Sequence, residues 1–360
     1  MNLMDEVTAR AMSLGVPFSL HLDLTYRCNE RCVHCYLDHD DHGEMNTDEI
    51  KRVLDQAAST GTLILTLSGG EPFLRKDFFE ILTYARSLMF AVKIKTNGML
   101  IGVEQARRLR ELHVGEVQIS IYSHRPEVHD AITKVGGSLE RSLKAIRRLR
   151  AAGVNTIISC PLMRGNIDHY PEVEALAAEL GVKFTMDPTI TPKMDGDRSI
   201  LTHRIAKSDI ARVFQDSALV GDVNEFCKPD DPITGDVLDS VPCTAGHTAV
   251  YVSPYGEVFP CVQFPVNCGN VREQKFQDIW FHSERMNQIR SIRVRDLHTC
   301  SGCSHVAGCS RCPGLAYMEG DMRGPSSADC EKSTIKAGLA QMRSTPQLAP
   351  ASLVQIQPMR

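Results

Sequence analysis

The chain has 360 residues, 42% of them apolar, and a net charge of −4, which is enough for one large domain and a smaller one. That charge leaves no basic field for nucleic acid or a membrane surface, and no apolar run reaches the length of a membrane span. Thirteen cysteines, with no signal peptide in the mixed stretch from Met1 to Pro17, read as cofactor ligation in the cytoplasm rather than as secreted disulfides.

After an N-terminal segment, 1–17, Phe18 to Thr25 alternates apolar and polar and predicts a first strand. Cys28, Cys32 and Cys35 follow at once, at the spacing CxxxCxxC. Three thiolates on one short loop can hold three irons of a four-iron, four-sulfur cluster and leave the fourth iron open. A closed zinc site is the alternative; it needs four ligands, and His34 or His39 could supply the fourth.

Asn46, with Glu49 three residues on, is a helix-start signal, and Ile50, Val53, Leu54, Ala57 and Ala58 make one apolar stripe behind it. Thr62 to Leu67 is almost wholly apolar and predicts a strand buried on both faces. It ends in Gly69-Gly70-Glu71-Pro72. A helix is expected from about Asp77, a strand over Ala91 to Thr96, a helix over Val103 to Leu112 and a strand over Val117 to Tyr122. The next helix starts at Ser138, with Leu139, Leu143, Ile146 and Leu149 inward; a strand over Val154 to Cys160, a helix over Pro171 to Leu180 and a strand over Val182 to Met186 complete the series.

Six strand-then-helix units predict an α/β fold with a parallel sheet. The unusual residues fall at the strands' carboxyl ends: the three cysteines, the glycine pair, Asn97, Ser120, Cys160 and Asp187. A site drawn from every strand end suits a partial (β/α)6 TIM-type barrel, 18–190, better than a flat sheet with one switch point. Asp187 and Arg164 lie at that face, but spacing alone names no general acid or base. Residues 191–240 read as a connector with one helix near Lys207 to Leu219, Thr248 to Val262 as a hairpin turning at Ser253-Pro254-Tyr255-Gly256, and Phe276 to Ile289 as one helix. The tail, 336–360, is expected to be disordered.

A second cysteine field fills a small C-terminal domain, 241–335. Cys243 and Cys261 flank the hairpin, Cys268 follows, and Cys300/Cys303 and Cys309/Cys312 are two CxxC pairs before Cys330. The number exceeds one tetrahedral site; two iron–sulfur clusters fit it, and two zincs are the alternative.

At this point the sequence resembles the radical S-adenosylmethionine (AdoMet) enzymes with a C-terminal SPASM extension. The resemblance rests on CxxxCxxC after strand one, Gly69-Gly-Glu-Pro72 after strand two, and the spacing of Cys243, Gly256, Cys261, Cys300, Cys303, Cys309, Cys312 and Cys330. It implies a [4Fe-4S] cluster on Cys28, Cys32 and Cys35 whose free iron chelates AdoMet, and an electron that splits the sulfonium to give a 5′-deoxyadenosyl radical. It implies AdoMet contacts near Gly69, Gly70, Glu71, Asn97 and Ser120, with Lys134 as a carboxylate partner and Glu71 adding negative charge by the methionine ammonium. Cys300, Cys303, Cys309 and Cys330 would hold an outer auxiliary cluster. Cys243, Cys261 and Cys312 would hold an inner one, with Cys227, Cys268, a substrate atom or nothing as its fourth ligand. One departure stands out: Cys309 and Cys312 are separated by two residues where the family usually has three.

Relatives with this extension modify peptides and peptide-derived cofactor precursors, and others work on haem intermediates. Peptide maturation is the first expectation and tetrapyrrole side-chain modification the second. No winged-helix leader-binding domain is expected before strand one, so a peptide would dock unaided or through a separate leader-binding protein. A flavodoxin- or ferredoxin-type donor would supply the electron. The reading of another class is a non-catalytic iron–sulfur electron carrier; the open three-cysteine site argues against it.

Overall fold

The computed structural model describes residues 3–222 and 233–344. A helix, α1 (Leu3–Leu14), precedes the first strand, β1 (Ser19–Thr25). Then come α2 (Thr47–Ser59), β2 (Ile64–Gly69), α3 (Phe78–Ser87), β3 (Ala91–Thr96), α4 (Val103–Glu111) and β4 (Glu116–Ser120). Two helices, α5 (Pro126–Thr133) and α6 (Ser138–Ala151), lead to β5 (Thr156–Pro161), α7 (Tyr170–Glu179) and β6 (Lys183–Asp187). The boundaries follow local chemistry. Asn46 and Glu49 form a reciprocal capping box at the start of α2. Asp130 accepts from the Gly137 and Leu139 amides and so fastens the start of α6.

The six strands pair in parallel and in order, β6-β5-β4-β3-β2-β1, the partial barrel read from the sequence. The sheet then continues through the C-terminal hairpin. The strand β7 (Ala249–Val252) lies parallel to β1, with Leu20 opposite Val250, and β8 (Glu257–Phe259) and β9 (Gly269–Asn270) extend it antiparallel. The barrel is therefore open between β6 and the C-terminal region.

Each barrel strand has two unlike faces. Leu20, Leu22, Leu65, Leu67, Val92, Ile94, Val117, Ile119 and Ile158 point outward and form one core with Val53, Leu54, Ile81, Leu82, Leu109, Ile146 and Leu149 of the covering helices. The alternate positions point inward and are polar: His21, Ser68, Lys95, Gln118, Ser159 and Asp187 line a central cavity. This corrects the expectation for the second strand. Ile64 and Thr66 are only half buried, because the strand's inner face borders open space and not packed side chains.

Other expectations shift in detail. The helix α5 and the N-terminal helix carry no strong apolar stripe in the sequence and were not anticipated. The helix expected over 276–289 is two, Phe276–His282 and Glu284–Ser291, because the Ser283 side chain caps the second. The connector holds α8 (Lys207–Gln215), whose Ile210 and Val213 are buried. The division at residue 335 falls inside a helix, Ser327–Ser344, which packs on α8, with the Lys336 ammonium 5.9 Å from the Phe214 ring. Residues 336–344, expected to be disordered, are the last turns of that helix; the rest of the expected disordered tail lies outside the described residues.

Candidate active site and cysteine fields

The carboxyl ends of the barrel strands and a segment of the C-terminal region enclose a cavity of about 330 Å³. Cys28, Cys32 and Cys35 share one part of its wall; Gly69, Gly70, Asn97 and Ser120 line it as well, while Val262, Gln263, Pro265 and Met318 enter from the C-terminal side.

The cysteine loop is anchored on both flanks. The Arg31 and Val33 amides donate to Thr133 and Ile132 at the end of α5, each at 3.0 Å. On the other flank the Gly70 amide donates to Thr25 O at 2.7 Å and the Glu71 amide to Arg27 O at 2.9 Å. The glycine pair makes that contact possible. A Cβ on Gly69 would lie 2.2 Å from Thr25 O, and one on Gly70 would lie 2.3 Å from Arg27 O. The pair is required first for this backbone contact, in addition to any approach to a ligand.

Glu71 does not face the cavity, contrary to the sequence reading. It is fully buried and accepts from the Phe73 amide, the Thr96 hydroxyl and the Asn97 amide at 2.8–3.0 Å. Burial raises its carboxyl to about 7, against the pull of those hydrogen bonds. Asn97 completes the brace: its Nδ2 donates to Asn29 Oδ1 at 2.7 Å, and its carbonyl accepts from the Ser142 hydroxyl at 2.7 Å. Lys134 is not brought to the cavity. It caps α5 in a left-handed conformation, φ 61°, with its side chain exposed. Asp187 lines the cavity; Arg164 is exposed outside it.

Two residues that spacing did not reveal belong to the cysteine loop's surroundings. Glu30, between the first two cysteines, is buried and accepts from Cys32 Sγ at 3.4 Å; burial raises its carboxyl to about 7. Tyr122 places its hydroxyl 3.8 Å from Cys32 Sγ and its ring edge-on to His34. Glu30 could have been suspected as a lone acid inside the CxxxCxxC run; Tyr122 carries no local signal. At the carboxyl end of β1, buried Asp23 links His21, at 3.0 Å, to the Tyr251 hydroxyl at 2.9 Å, and Tyr251 shares a 2.7 Å hydrogen bond with Tyr26. This chain of contacts ties β1 to the C-terminal hairpin.

Burial pushes the Cys28 thiol up to about 12 and raises Cys32 and Cys35 as well. Neutral thiols are what such a wall favours on its own; iron bound there would supply the charge that turns them to thiolates. A single-ion site needs donors converging on one point, and no three His, Cys, Asp or Glu side chains among the described residues do so. A cluster spreads its ligands over separate irons, and three soft sulfurs along one cavity wall meet that requirement.

The C-terminal cysteines fall into two groups. The Cys330 thiol is raised by burial and then by Cys300, Cys309 and Cys303, which therefore share its neighbourhood. Cys261 is raised by burial and by Cys243, and Cys312 is pushed to about 11 by burial, Asp329 and Cys261. Asp329 also accepts from the Cys312 amide at 2.8 Å and pairs with Lys332 at 2.8 Å, so the short Cys309–Cys312 spacing is held by a specific anchor. Cys268 turns away and donates to Val266 O at 3.3 Å; Cys227 lies outside the described residues. Cys160 is a fully buried core thiol. Arg311 is buried and lines a small cavity with Cys243, its Nε and Nη2 donating to the Gly324 and Met322 carbonyls. It pulls the Cys300 thiol down against burial.

Comparison with known proteins bears directly on this arrangement. A model of the radical SAM superfamily matches residues 22–177, and one of an iron–sulfur cluster-binding domain, SPASM, matches residues 243–304. The AdoMet-dependent heme synthase of Methanosarcina barkeri is 31% identical over 329 residues, which cover 84% of this chain and 93% of that one. The chain belongs to the radical SAM superfamily.

Other radical SAM relatives fit the same frame. The mycofactocin maturase MftC of Mycolicibacterium smegmatis is 29% identical over 316 residues, covering 82% of this chain and 78% of the relative. Streptococcus suis SuiB, solved with its precursor peptide SuiA, superposes with a TM-score of 0.73 at 18% identity, over 90% of this chain and 79% of that one. AdoMet-bound anSMEcpe superposes at 0.68 and 17% identity, over 91% and 94%. At those identities the two structures speak for the fold alone. Membership makes the chain an enzyme with radical SAM and SPASM iron–sulfur domains, in place of a bare electron carrier. No helix among the described residues is long and apolar enough to cross a membrane.

Proposed function

We propose that this radical SAM enzyme modifies a ribosomally made peptide or a peptide-derived cofactor precursor. The observation that carries the reading is the cavity. About 330 Å³ must hold AdoMet together with the reacting part of the substrate, at the small end of ligand sites. Such a space suits one end of a chain threaded in from outside. Its inner wall offers hydrogen-bonding groups (Lys95, Gln118, Ser159, Asp187) of the kind that grip peptide amides and carboxylates. The maturase relatives lean the same way. A second reading, modification of a tetrapyrrole side chain, is favoured by the 31% identity to a heme synthase.

In this reading Cys28, Cys32 and Cys35 hold a [4Fe-4S] cluster, and Gly69, Gly70, Asn97 and Ser120 border the place of AdoMet. A cluster held there would supply a free iron to chelate AdoMet and the electron that breaks the sulfonium. Glu71 acts from behind by fixing Thr96 and Asn97, and Lys134 takes no part in cofactor binding. Cys300, Cys303, Cys309 and Cys330 hold one auxiliary cluster; Cys243, Cys261 and Cys312 hold another and leave one iron without a cysteine from the described residues. The electron comes from a flavodoxin- or ferredoxin-type donor, and a peptide substrate docks unaided or through a separate leader-binding protein. A cytoplasmic setting belongs to the same reading, supported by described cysteines that are all free thiols.

Anaerobic reconstitution tests it. Three four-iron clusters give about twelve irons per chain, and AdoMet with dithionite yields 5′-deoxyadenosine. Replacing Cys28, Cys32 and Cys35 with Ala removes about four of those irons and all cleavage; unchanged iron in that variant would refute the ligand assignment. Mass spectrometry of a candidate precursor peptide, run beside a propionate-bearing iron porphyrin, separates the two substrates. Turnover of the porphyrin alone would overturn the peptide reading.

A further inference from the structure

The cysteine loop has a second side, turned away from the cavity, and cations gather there. Arg31 is exposed, and its Nη1 donates to the carbonyls of Cys28 at 2.6 Å and Glu30 at 2.8 Å, so the guanidinium lies against the loop backbone. The Arg31 amide is bonded to Thr133, and the next residue, Lys134, is exposed at the left-handed end of α5. Arg141, exposed near the start of α6, donates to the Gly136 and Gly137 carbonyls at 2.9 and 3.2 Å, which keeps it beside Lys134.

The acids on α5 and α6 are spoken for. Glu127 pairs with Arg125 at 2.5 Å and Glu140 with Lys144 at 2.6 Å. Asp130 is consumed by the Gly137 and Leu139 amides and the Ser138 hydroxyl. Arg31, Lys134 and Arg141 form no ion pair among the described residues. On a chain of net charge −4, three unpaired exposed cations on the back of one loop form a local positive field against the overall trend. AdoMet and substrate take the front of the loop, so an external electron has the back as its free approach.

We propose that Arg31, Lys134 and Arg141 form the docking surface for an acidic one-electron donor protein of the flavodoxin kind. This rests on the reading that Cys28, Cys32 and Cys35 hold the cluster. The donor's anionic flavin hydroquinone loses one electron and becomes the neutral semiquinone; the cluster gains that electron; no bond forms or breaks and no proton moves. Rim charges of this sort act on encounter rate and salt dependence more than on the closed complex, and Arg31 also keeps the loop backbone in place.

The test uses the reconstituted holoenzyme and a purified, strongly acidic flavodoxin. Binding is measured by calorimetry at low and high ionic strength. The rate of cluster reduction is followed by electron paramagnetic resonance with flavodoxin or with photoreduced deazaflavin, a small uncharged reductant. Lys134→Glu with Arg141→Glu should weaken flavodoxin binding by about tenfold or more at low salt, with the difference shrinking as the charges are screened. Reduction by flavodoxin should slow in step while reduction by deazaflavin does not. The neutral pair Lys134→Ala with Arg141→Ala should fall between. A control with the same change of net charge, Arg52→Glu with Lys275→Glu, lies on α2 and at the start of the 276–282 helix and should bind as the parent does. Undiminished binding by the first variant, or equal loss in the control, overturns the docking surface. A parent enzyme whose first cluster neither reductant can reduce overturns the cluster assignment instead.

Discussion

A methyl group on Gly70 would sit 2.3 Å from the carbonyl oxygen of Arg27 and 2.6 Å from that of Tyr26. The turn after β2 and the start of the cysteine loop are thus in backbone contact with no room for a side chain. Gly70→Ala must part the two segments, and the Gly70–Thr25 and Glu71–Arg27 hydrogen bonds go with them. The expected result is a cluster-deficient protein: about four irons fewer after reconstitution and no 5′-deoxyadenosine. Retention of full iron with normal cleavage would show that the contact is dispensable.

Glu71→Gln keeps the shape but sets an amide NH2 where donors already point, from Asn97, Thr96 and Phe73. A buried donor left without an acceptor costs about 1–3 kcal/mol, so the melting temperature of the variant should drop. The parent's pH dependence carries the sign of a raised carboxyl. The folded state holds the proton up to about 7, whereas the unfolded chain releases it near 4.5. Between those values the folded form binds more protons, so this group's share of stability falls as pH rises and is constant above the window. Glu71→Gln should flatten that fall in a melting series across the window.

His129 should act with the opposite sign. Its Nδ1 accepts from the Tyr122 amide at 3.1 Å, and burial lowers its pKa to about 4. The unfolded chain takes up the proton near 6.5, so stability present above that pH is lost as pH falls toward 4. His34 and His247 are lowered in the same way and add to the loss. His129→Asn retains an acceptor but does not titrate, and its acid limb should be shallower than the parent's. Identical limbs would show that Tyr122 does not depend on the neutral ring.

Arg311 is a buried guanidinium beside the outer cysteine group, and its Nη1 has no hydrogen-bond partner among the described residues. Positive charge and N–H donors near cluster sulfurs favour the reduced, more negative state. Arg311→Gln should move one auxiliary potential downward in an electron paramagnetic resonance redox titration, with the first cluster unmoved and Arg311→Lys intermediate. A potential that stays in place would mark Arg311 as a purely structural tie to Met322 and Gly324.

Much of this molecule is legible in its sequence because the signals are periodic or fixed in spacing. Alternation fixed Ala91–Thr96, and the capping pair Asn46/Glu49 located the start of α2. The cysteine loop is readable from spacing because its ligands are neighbours in the chain. Roles that depend on direction are not. Glu71 and Gly70 are adjacent, yet one lies behind the strand ends and the other lines the cavity. The resemblance implies Lys134 as a carboxylate partner, but it ends α5 in a left-handed conformation with its side chain exposed. Tyr122 and Asp23 act through residues from 7 to 228 positions away, separations to which periodicity is blind.

The hairpin beside β1 has one more consequence. Because Val262, Gln263, Pro265 and Met318 help to wall the chamber, the region that carries the second cysteine field also shapes what can enter. Insertions or exchanges there can change the accepted molecule while the strand ends that hold the first three thiols stay as they are. Diversification in such a molecule is cheapest in that part of the wall, and two enzymes of this build can share a radical source yet have no substrate in common.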